Sequence, residues 1–303
     1  MSLGLVPEGL DGERADVAAS RMTGLSRSRV EQIAAANGLL VDGVPVHKSF
    51  KVAAGALLEL ATGPEPAMVG PQLVEDMRIV FDDPDIVVVD KPAFVAAHPS
   101  LGWDGPSVTG HLAAAGFRVS TSGPPERQGV VQRLDVGTSG LMVVAKSEAA
   151  YSILKQAFRD RTVRKTYRAL VQGYPDPLAG MIDAAIGHAR SEQWKMALRA
   201  DGRPAVTHYR TLEVQRAASL LEVELETGRT HQIRVHLAGL HHPCVGDRLY
   251  GGDPSLARRL GLERQWLHAA ALGFAHPQDG RPLDFVSPDP PDLARALELV
   301  RRD

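Results

Sequence analysis

The stretch GVVQRLDVGTSGLMVVAKS, residues 129–147, decides how the rest of the chain is read. An apolar entry, Val130 and Val131, leads into a loop that carries Arg133 and Asp135. Gly137-Thr138-Ser139-Gly140 closes that loop as a turn, and GLMVVAK (140–146) follows as an apolar run of strand length, the pattern of a strand buried on both faces. Charged side chains at the rim of a rigid strand are well placed for chemistry. An aspartate beside Gly, Thr and Ser is also an ordinary turn-former that bonds its own backbone, so the pattern alone leaves Asp135 with two readings.

Outward from this stretch, IVVVDK (86–91) reads as a second buried strand. SEAAYSILKQAFRD (147–160) puts Tyr151, Leu154 and Phe158 on one helical face, and LLEVELE (220–226) alternates with period two as a half-exposed strand does. Antiparallel-looking strands and helices without regular βαβ spacing predict an α+β domain built on a mostly antiparallel mixed sheet.

The first sixty residues read as a separate small unit. In SRSRVEQIAAANG (26–38), Ser28 with Glu31 forms a capping box, Val30, Ile33 and Ala34 recur at helical spacing, and Gly38 is a stop. LLVDGVPV (39–46) predicts a hairpin, because Asp42-Gly43 suits a type I′ turn. ATGPEPAMVGPQ (61–72), with three prolines and two glycines, has linker chemistry. The expected organisation is therefore a small α/β domain over 1–60, a linker over 61–72 and the α+β domain over 73–303.

Composition narrows the class. With 44% hydrophobic and 23% charged residues in 303, the chain can bury a sizeable core, which excludes global disorder. No apolar run approaches the roughly 18 residues that span a bilayer. The opening MSLGLVPEGLDGERAD lacks the basic start and apolar stretch of a secretory signal, so a cytoplasmic protein without membrane contact is expected. A single cysteine, Cys244, excludes an internal disulfide and any CxxC metal cluster. The net charge of −2 is unevenly placed: Lys155–Arg168 holds six Lys/Arg against one Asp, and Leu60–Asp90 seven Asp/Glu against one Arg. Arg21, Arg27, Arg29, Lys48 and Lys51 form a further basic set, either a solvated face or a phosphate-gripping surface.

Nucleotide-binding and hydrolase signatures (GxxxxGK[ST], GxGxxG, HExxH, GxSxG) are absent. In LETGRTHQIRVHLAGLHHPCVGDRLYGG (225–252), Thr230 is expected to cap a helix whose buried stripe is Ile233, Leu237 and Leu240, leaving Arg229 in the turn and Arg234 one turn in. His231, His236, His241 and His242 lack the i, i+4 spacing of metal ligands, so no metal is expected. In RKTYRALV (164–171), Lys165, Tyr167 and Ala169 share one strand side; Tyr167 is either a base-stacking residue or an ordinary strand tyrosine.

These strings, in this order with IVVVDKPAFVAAHPS (86–100) upstream, resemble the RluA family of pseudouridine synthases over about residues 14–290. LSRSRVEQIAAANGLLVDGVPVHKSFKVAAGALLEL (25–60) resembles the S4 RNA-binding module, a resemblance that covers roughly residues 14–60, and such a module in front is similar to the branch that modifies large-subunit ribosomal RNA. The resemblance implies that Asp135 is the catalytic aspartate and that Tyr167 stacks on the flipped uracil and is positioned to take part in proton transfer. It implies that Arg234 pairs with the catalytic carboxylate and that Arg133 fills the gap left by the flipped nucleotide. Arg27, Arg29, Lys48, Lys165, Arg229 and His231 are the further expected RNA contacts. Gln132 departs from the family's usual HRLD.

Turning uridine into pseudouridine breaks N1–C1′ and forms C5–C1′ without redox change, so no cofactor, metal or nucleotide is expected. A carboxylate in a closed pocket stays ionised when a guanidinium lies beside it, which suits Asp135 with Arg234. The expected partner is RNA, foremost 23S ribosomal RNA, and the expected state a monomer. Alternatives are the same chemistry on tRNA or another RNA, a non-catalytic ribosome-assembly factor, and a metal-dependent RNA hydrolase.

Overall fold

The computed structural model describes residues 2–25, 27–35, 37–61, 70–99, 103–190, 192 and 194–302. The chain forms two compact units, Met1–Met68 and Val69–Asp303. Most of the expected linker, residues 62–69, lies outside the described residues.

The first unit runs β1 (Ser2–Leu5), α1 (Ala15–Thr23), α2 (Arg27–Ala35), β2 (Leu39–Val41), β3 (Val44–Pro45) and β4 (Leu57–Leu60). Its antiparallel sheet has the order β1-β4-β2-β3. Asp42 and Gly43, at φ 51° and 77°, make the left-handed pair that a type I′ hairpin requires. Helix α2 starts at Arg27, so Ser28 stands inside the first turn rather than ahead of it as the expected cap. At the other end Asn37 takes the left-handed position (φ 58°) and the Gly38 N–H returns to the Ile33 carbonyl at 2.8 Å. Only glycine fits at 38, because a Cβ there would lie 2.4 Å from the Ala61 carbonyl oxygen. Ala18, Val30, Ile33, Leu39, Val52 and Leu58 supply this unit's own core.

The second unit runs β5 (Arg78–Asp82), β6 (Ile86–Lys91), α3 (Val108–Ala114), β7 (Ser139–Ala145), α4 (Glu148–Arg159), β8 (Arg164–Gln172), β9 (Ala179–Asp183), β10 (Ile186–His188), β11 (Met196–Leu198), β12 (Val206–Val214), β13 (Ala218–Leu225), α5 (Gln232–Gly239), α6 (Pro254–Arg259), β14 (Leu267–Ala275), β15 (Pro282–Val286) and α7 (Pro291–Arg302). The main sheet has the order β5-β6-β7-β14-β8-β13-β12-β9, with β15 added to β14. Its pairings are antiparallel except β7 with β14, which is parallel and sets His268 opposite Ser139 and Ala269 opposite Gly140. The fold is α+β. Gly140, at φ 114°, permits the parallel contact: a Cβ there would lie 2.3 Å from the Ala269 carbonyl oxygen.

Both faces of the sheet are covered, which explains the unbroken apolar strands. Val87 and Val89 pack with Met142, Val144, Tyr167 and Ile233, whereas Ile86 and Val88 pack with Leu141, Val143 and Leu154 of α4. Strand β13, expected to be half exposed, is buried on both faces over Ala218–Leu221 and alternates as expected beyond, with Val223 buried and Glu224 exposed. It lies between β8 and β12, with Leu221 and Val223 in the first cluster and Leu220 in a third with Trp266 and Leu293. Thr230 does not cap α5: His231 occupies that position at φ 56°, without a capping side-chain bond. The turn is held instead by Gln232 Oε1, which accepts from the Arg229 N–H at 2.9 Å and the Thr227 hydroxyl at 2.8 Å.

Candidate active site

The loop carrying Asp135 is pinned through the two backbone carbonyls that follow it. The Val136 carbonyl accepts from the Phe94 N–H at 2.7 Å and from Lys91 Nζ at 3.4 Å, and the Gly137 carbonyl accepts from Arg264 Nη1 at 3.1 Å. Lys91 is fully buried, and its ammonium also donates to the Pro92 and Val95 carbonyls at 3.0 and 2.8 Å. Burial pushes Lys91 down to about 7, with Asp135 opposing and Arg264 adding to the shift. Arg264 is itself anchored by a two-pronged ion pair with Asp292 in the first turn of α7, at 2.7 and 3.0 Å.

Held this way, Asp135 lines a cavity of about 420 Å³. Strand β8 contributes Lys165 and Tyr167, α4 contributes Lys155 and Arg159, and the turn into α5 contributes Arg229, His231 and Arg234. Arg127 and Arg133 complete the set, so among the described residues seven Lys/Arg line the cavity with Asp135 as its only carboxylate. Such a cavity attracts a polyanion and holds one carboxylate ready at its centre.

Arg234 Nη1 lies 3.3 Å from Asp135 Oδ2, while its Nε and Nη2 donate to both oxygens of buried Asp247 at 2.7 and 2.9 Å. Asp247 Oδ1 also accepts the backbone N–H groups of Leu249 and Tyr250, each at 3.2 Å. The Tyr250 ring lies 4.9 Å from the guanidinium, and its hydroxyl lies 2.8 Å from His231 Nδ1. His231 Nε2 lies 4.0 Å from Asp135 Oδ1. Burial alone would lower Arg234; the hydrogen bonds and charge of Asp247, with the charge of Asp135, outweigh it and hold Arg234 above the ordinary arginine range. His231 is pulled below the ordinary histidine value by burial, against the charge of Asp135, and is therefore neutral at pH 7.

Tyr167 is almost wholly buried. Burial first, and then the charge of Asp135, push its hydroxyl above the ordinary tyrosine range, so it stays protonated. It faces a register shift in β14 between His268 and Ala271, a bulge beside the cavity. Lys165 is lowered to about 8 by burial, with Arg161 adding to it. Arg229 Nε donates to the Pro204 carbonyl at 2.9 Å. Gln132 also lines the cavity, and its amide Nε2 is buried without a partner.

The structure thus brings together Asp135, Tyr167, Arg234, Arg133, Lys165, Arg229 and His231. Lys48 belongs to the first unit and lies 3.4 Å from Glu31 there. Arg27 and Arg29 lie in α2, and their side chains are outside the described residues. The other histidines diverge: His236 bonds Thr207 and the Ala184 carbonyl, His242 bonds the Gln172 carbonyl, and His241 sits in a left-handed turn. Among the described residues no group of three or more His, Cys, Asp or Glu could hold a metal ion. Sequence reasoning missed Lys91, Arg264, Tyr250 and Asp247. For Asp247 the one available signal is its place in GDRLYG, within a string already marked by the resemblance.

Comparison with known proteins agrees with this site. A protein of Mycobacterium bovis described as an uncharacterized RNA pseudouridine synthase is 58% identical over 298 residues, covering 98% of this chain and 97% of its own. A ribosomal large subunit pseudouridine synthase D of Xanthomonas campestris pv. campestris is 39% identical over 311 residues, covering 99% of this chain and 92% of its own. The solved structure of human RNA Pseudouridylate Synthase Domain Containing 1 superposes with a TM-score of 0.59 at 31% identity, over 75% of this chain and 89% of that one. With residues 85–239 matching the family described as RNA pseudouridylate synthase, this chain belongs to that family, in its RluA branch, and is an RNA pseudouridine synthase.

Proposed function

We propose that the enzyme isomerises uridines of the large-subunit, 23S ribosomal RNA, with Asp135 as the carboxylate that acts on the target nucleotide. The observation that carries this reading is the single carboxylate set among seven Lys/Arg in one cavity, with Tyr167 and Arg234 beside it. The relatives named for the ribosomal large subunit support the substrate.

The target base leaves its stack at a cost of roughly a few kcal/mol, offset by Arg133 in the gap and Tyr167 as a platform for the uracil. Arg234, 3.3 Å away, orients Asp135. The N1–C1′ bond then breaks, the base turns, C5 bonds to C1′, and the proton lost from C5 is balanced by one gained at N1. The first unit, through the S4 resemblance of roughly residues 14–60, is assigned to gripping RNA by shape and phosphate.

The test is base-resolved pseudouridine mapping of unmodified 23S RNA treated with wild type beside Asp135→Asn. New sites made by wild type and not by the variant are expected. Turnover by Asp135→Asn would remove the role of Asp135, and modification confined to tRNA would replace the substrate.

A further inference from the structure

Phe94 combines a strained backbone with an uncommitted ring. Its φ of 62° lies in the left-handed region, which bulky residues adopt only when their surroundings impose it. Here they do. The Phe94 N–H is tied to the Val136 carbonyl at 2.7 Å, Lys91 grips the carbonyls of Pro92 and Val95 on either side, and Val95 and Ala96 are buried. The ring, by contrast, is 49% exposed and joins none of the apolar clusters among the described residues. Glycine would relax this backbone and remove an aromatic face from water. Folding stability therefore gives no reason for a phenylalanine at 94.

We propose that Phe94 is a stacking platform for a nucleobase adjacent to the target uridine. Phe94 is one backbone hydrogen bond from Val136, the residue after Asp135, so its ring stands on the frame that holds the catalytic loop. Base stacking needs an exposed ring whose backbone is already fixed, and a nucleotide flipped out of its stack leaves neighbours with a bare face. The seven Lys/Arg of the cavity around Asp135 suit the phosphates of the same segment, which favours RNA over a protein segment as the occupant. This inference rests on the RNA-isomerase reading and adds a binding role for a residue that lies within the 86–100 string but to which the resemblance assigns none.

The test compares Phe94→Gly, Phe94→Ala and Phe94→Trp in the full chain. Affinity for an unmodified 23S transcript is measured across a salt series, with kcat and KM from tritium released at uridine C5, and melting temperature. Phe94→Gly and Phe94→Ala are expected to weaken RNA binding roughly five- to hundredfold, the usual range for one stacked base. Phe94→Trp is expected to bind as wild type does. The salt slope should not change, because no charge is lost, and Phe94→Gly should melt no lower than wild type.

Wild-type affinity in Phe94→Gly, or a loss that runs parallel to a fall in melting temperature in all three variants, overturns the proposal. The two readings fail separately. Wild type that binds RNA but leaves 23S uridines unmodified removes the substrate reading, while the binding comparison still decides the role of Phe94. Wild type that does not bind RNA removes both.

Discussion

Arg234 turns the fork of its guanidinium toward Asp247 and offers Asp135 a single N–H: two bonds of 2.7 and 2.9 Å on one side, one of 3.3 Å on the other. The buried carboxylate takes the stronger geometry, although Asp135 is the residue in the cavity. The arrangement fixes the plane of the guanidinium, and Asp135 Oδ1 lies 4.0 Å from His231 Nε2. Asp135 is thus oriented without being clamped.

Asp247→Asn should accordingly lower kcat by roughly 10- to 100-fold, the usual effect of losing a partner that orients a site residue, while KM for RNA stays within about threefold. Steady-state kinetics checks this, paired with Arg234→Lys. The double variant should lose little more than the worse single one, since both act through one contact. Losses that multiply would separate Asp247 from Arg234.

Tyr167 carries a hydroxyl that burial and the Asp135 charge keep protonated. The ring, not a phenolate base, is its main asset. Tyr167→Phe is expected to keep kcat within about tenfold of wild type, with no new limb in the rate profile between pH 6 and 9. Tyr167→Leu should lose roughly 1–3 kcal/mol of transition-state stabilisation with the stacked ring. Equal damage from both substitutions would assign the role to the hydroxyl.

Lys91 links stability to pH in an unusual direction. Its value falls from 10.5 to about 7 on folding, so between those two pH values the unfolded chain binds more protons than the folded one. This group's contribution to stability therefore rises with pH across that window. Melting measured at pH 7 and pH 9.5 should show wild type gaining relative to Lys91→Met. The variant should also be less stable at pH 9.5, because the Pro92 and Val95 carbonyls lose their donor, at about 1–3 kcal/mol for each buried group left unpaired. Parallel pH curves would show that Lys91 titrates normally.

Arg133 faces the cavity from an exposed position, so its contribution to RNA binding should be electrostatic. Arg133→Ala is expected to reduce the slope of log affinity against log salt by about 1, read from filter binding at four salt concentrations. An unchanged slope would place Arg133 away from phosphate.

Much of the frame was legible in advance. IVVVDK and GLMVVAK became β6 and β7 because their unbroken apolar pattern reports burial on two faces, and Asp42-Gly43 became a hairpin because its φ values admit few alternatives. The motif residues Asp135, Tyr167, Arg133 and Arg234 line one cavity. What stayed hidden depends on partners chosen by tertiary packing. Asp247 looks like any loop aspartate until α5 brings Arg234 against it, and Arg264 gains meaning only once Gly137 and Asp292 converge on it. The glutamates of LLEVELE do mark a more open face, with Glu224 exposed, whereas the burial of both Leu220 and Leu221 at its start depends on packing that the alternation does not report. Thr230 failed as a cap because His231 takes the left-handed turn.

The parallel pairing of β7 with β14 sets an order of events in time. Ser139 and His268 are 129 positions apart, and Arg264 reaches back to Gly137 across 127. Contacts this distant in sequence form late, after the loop between them has closed. A nascent chain emerging from the ribosome already displays Asp135, Tyr167 and Arg234 before the strand that locks their loop has been made. The loop that carries Asp135 is therefore locked only once β14, close to the end of the sequence, has docked against β7.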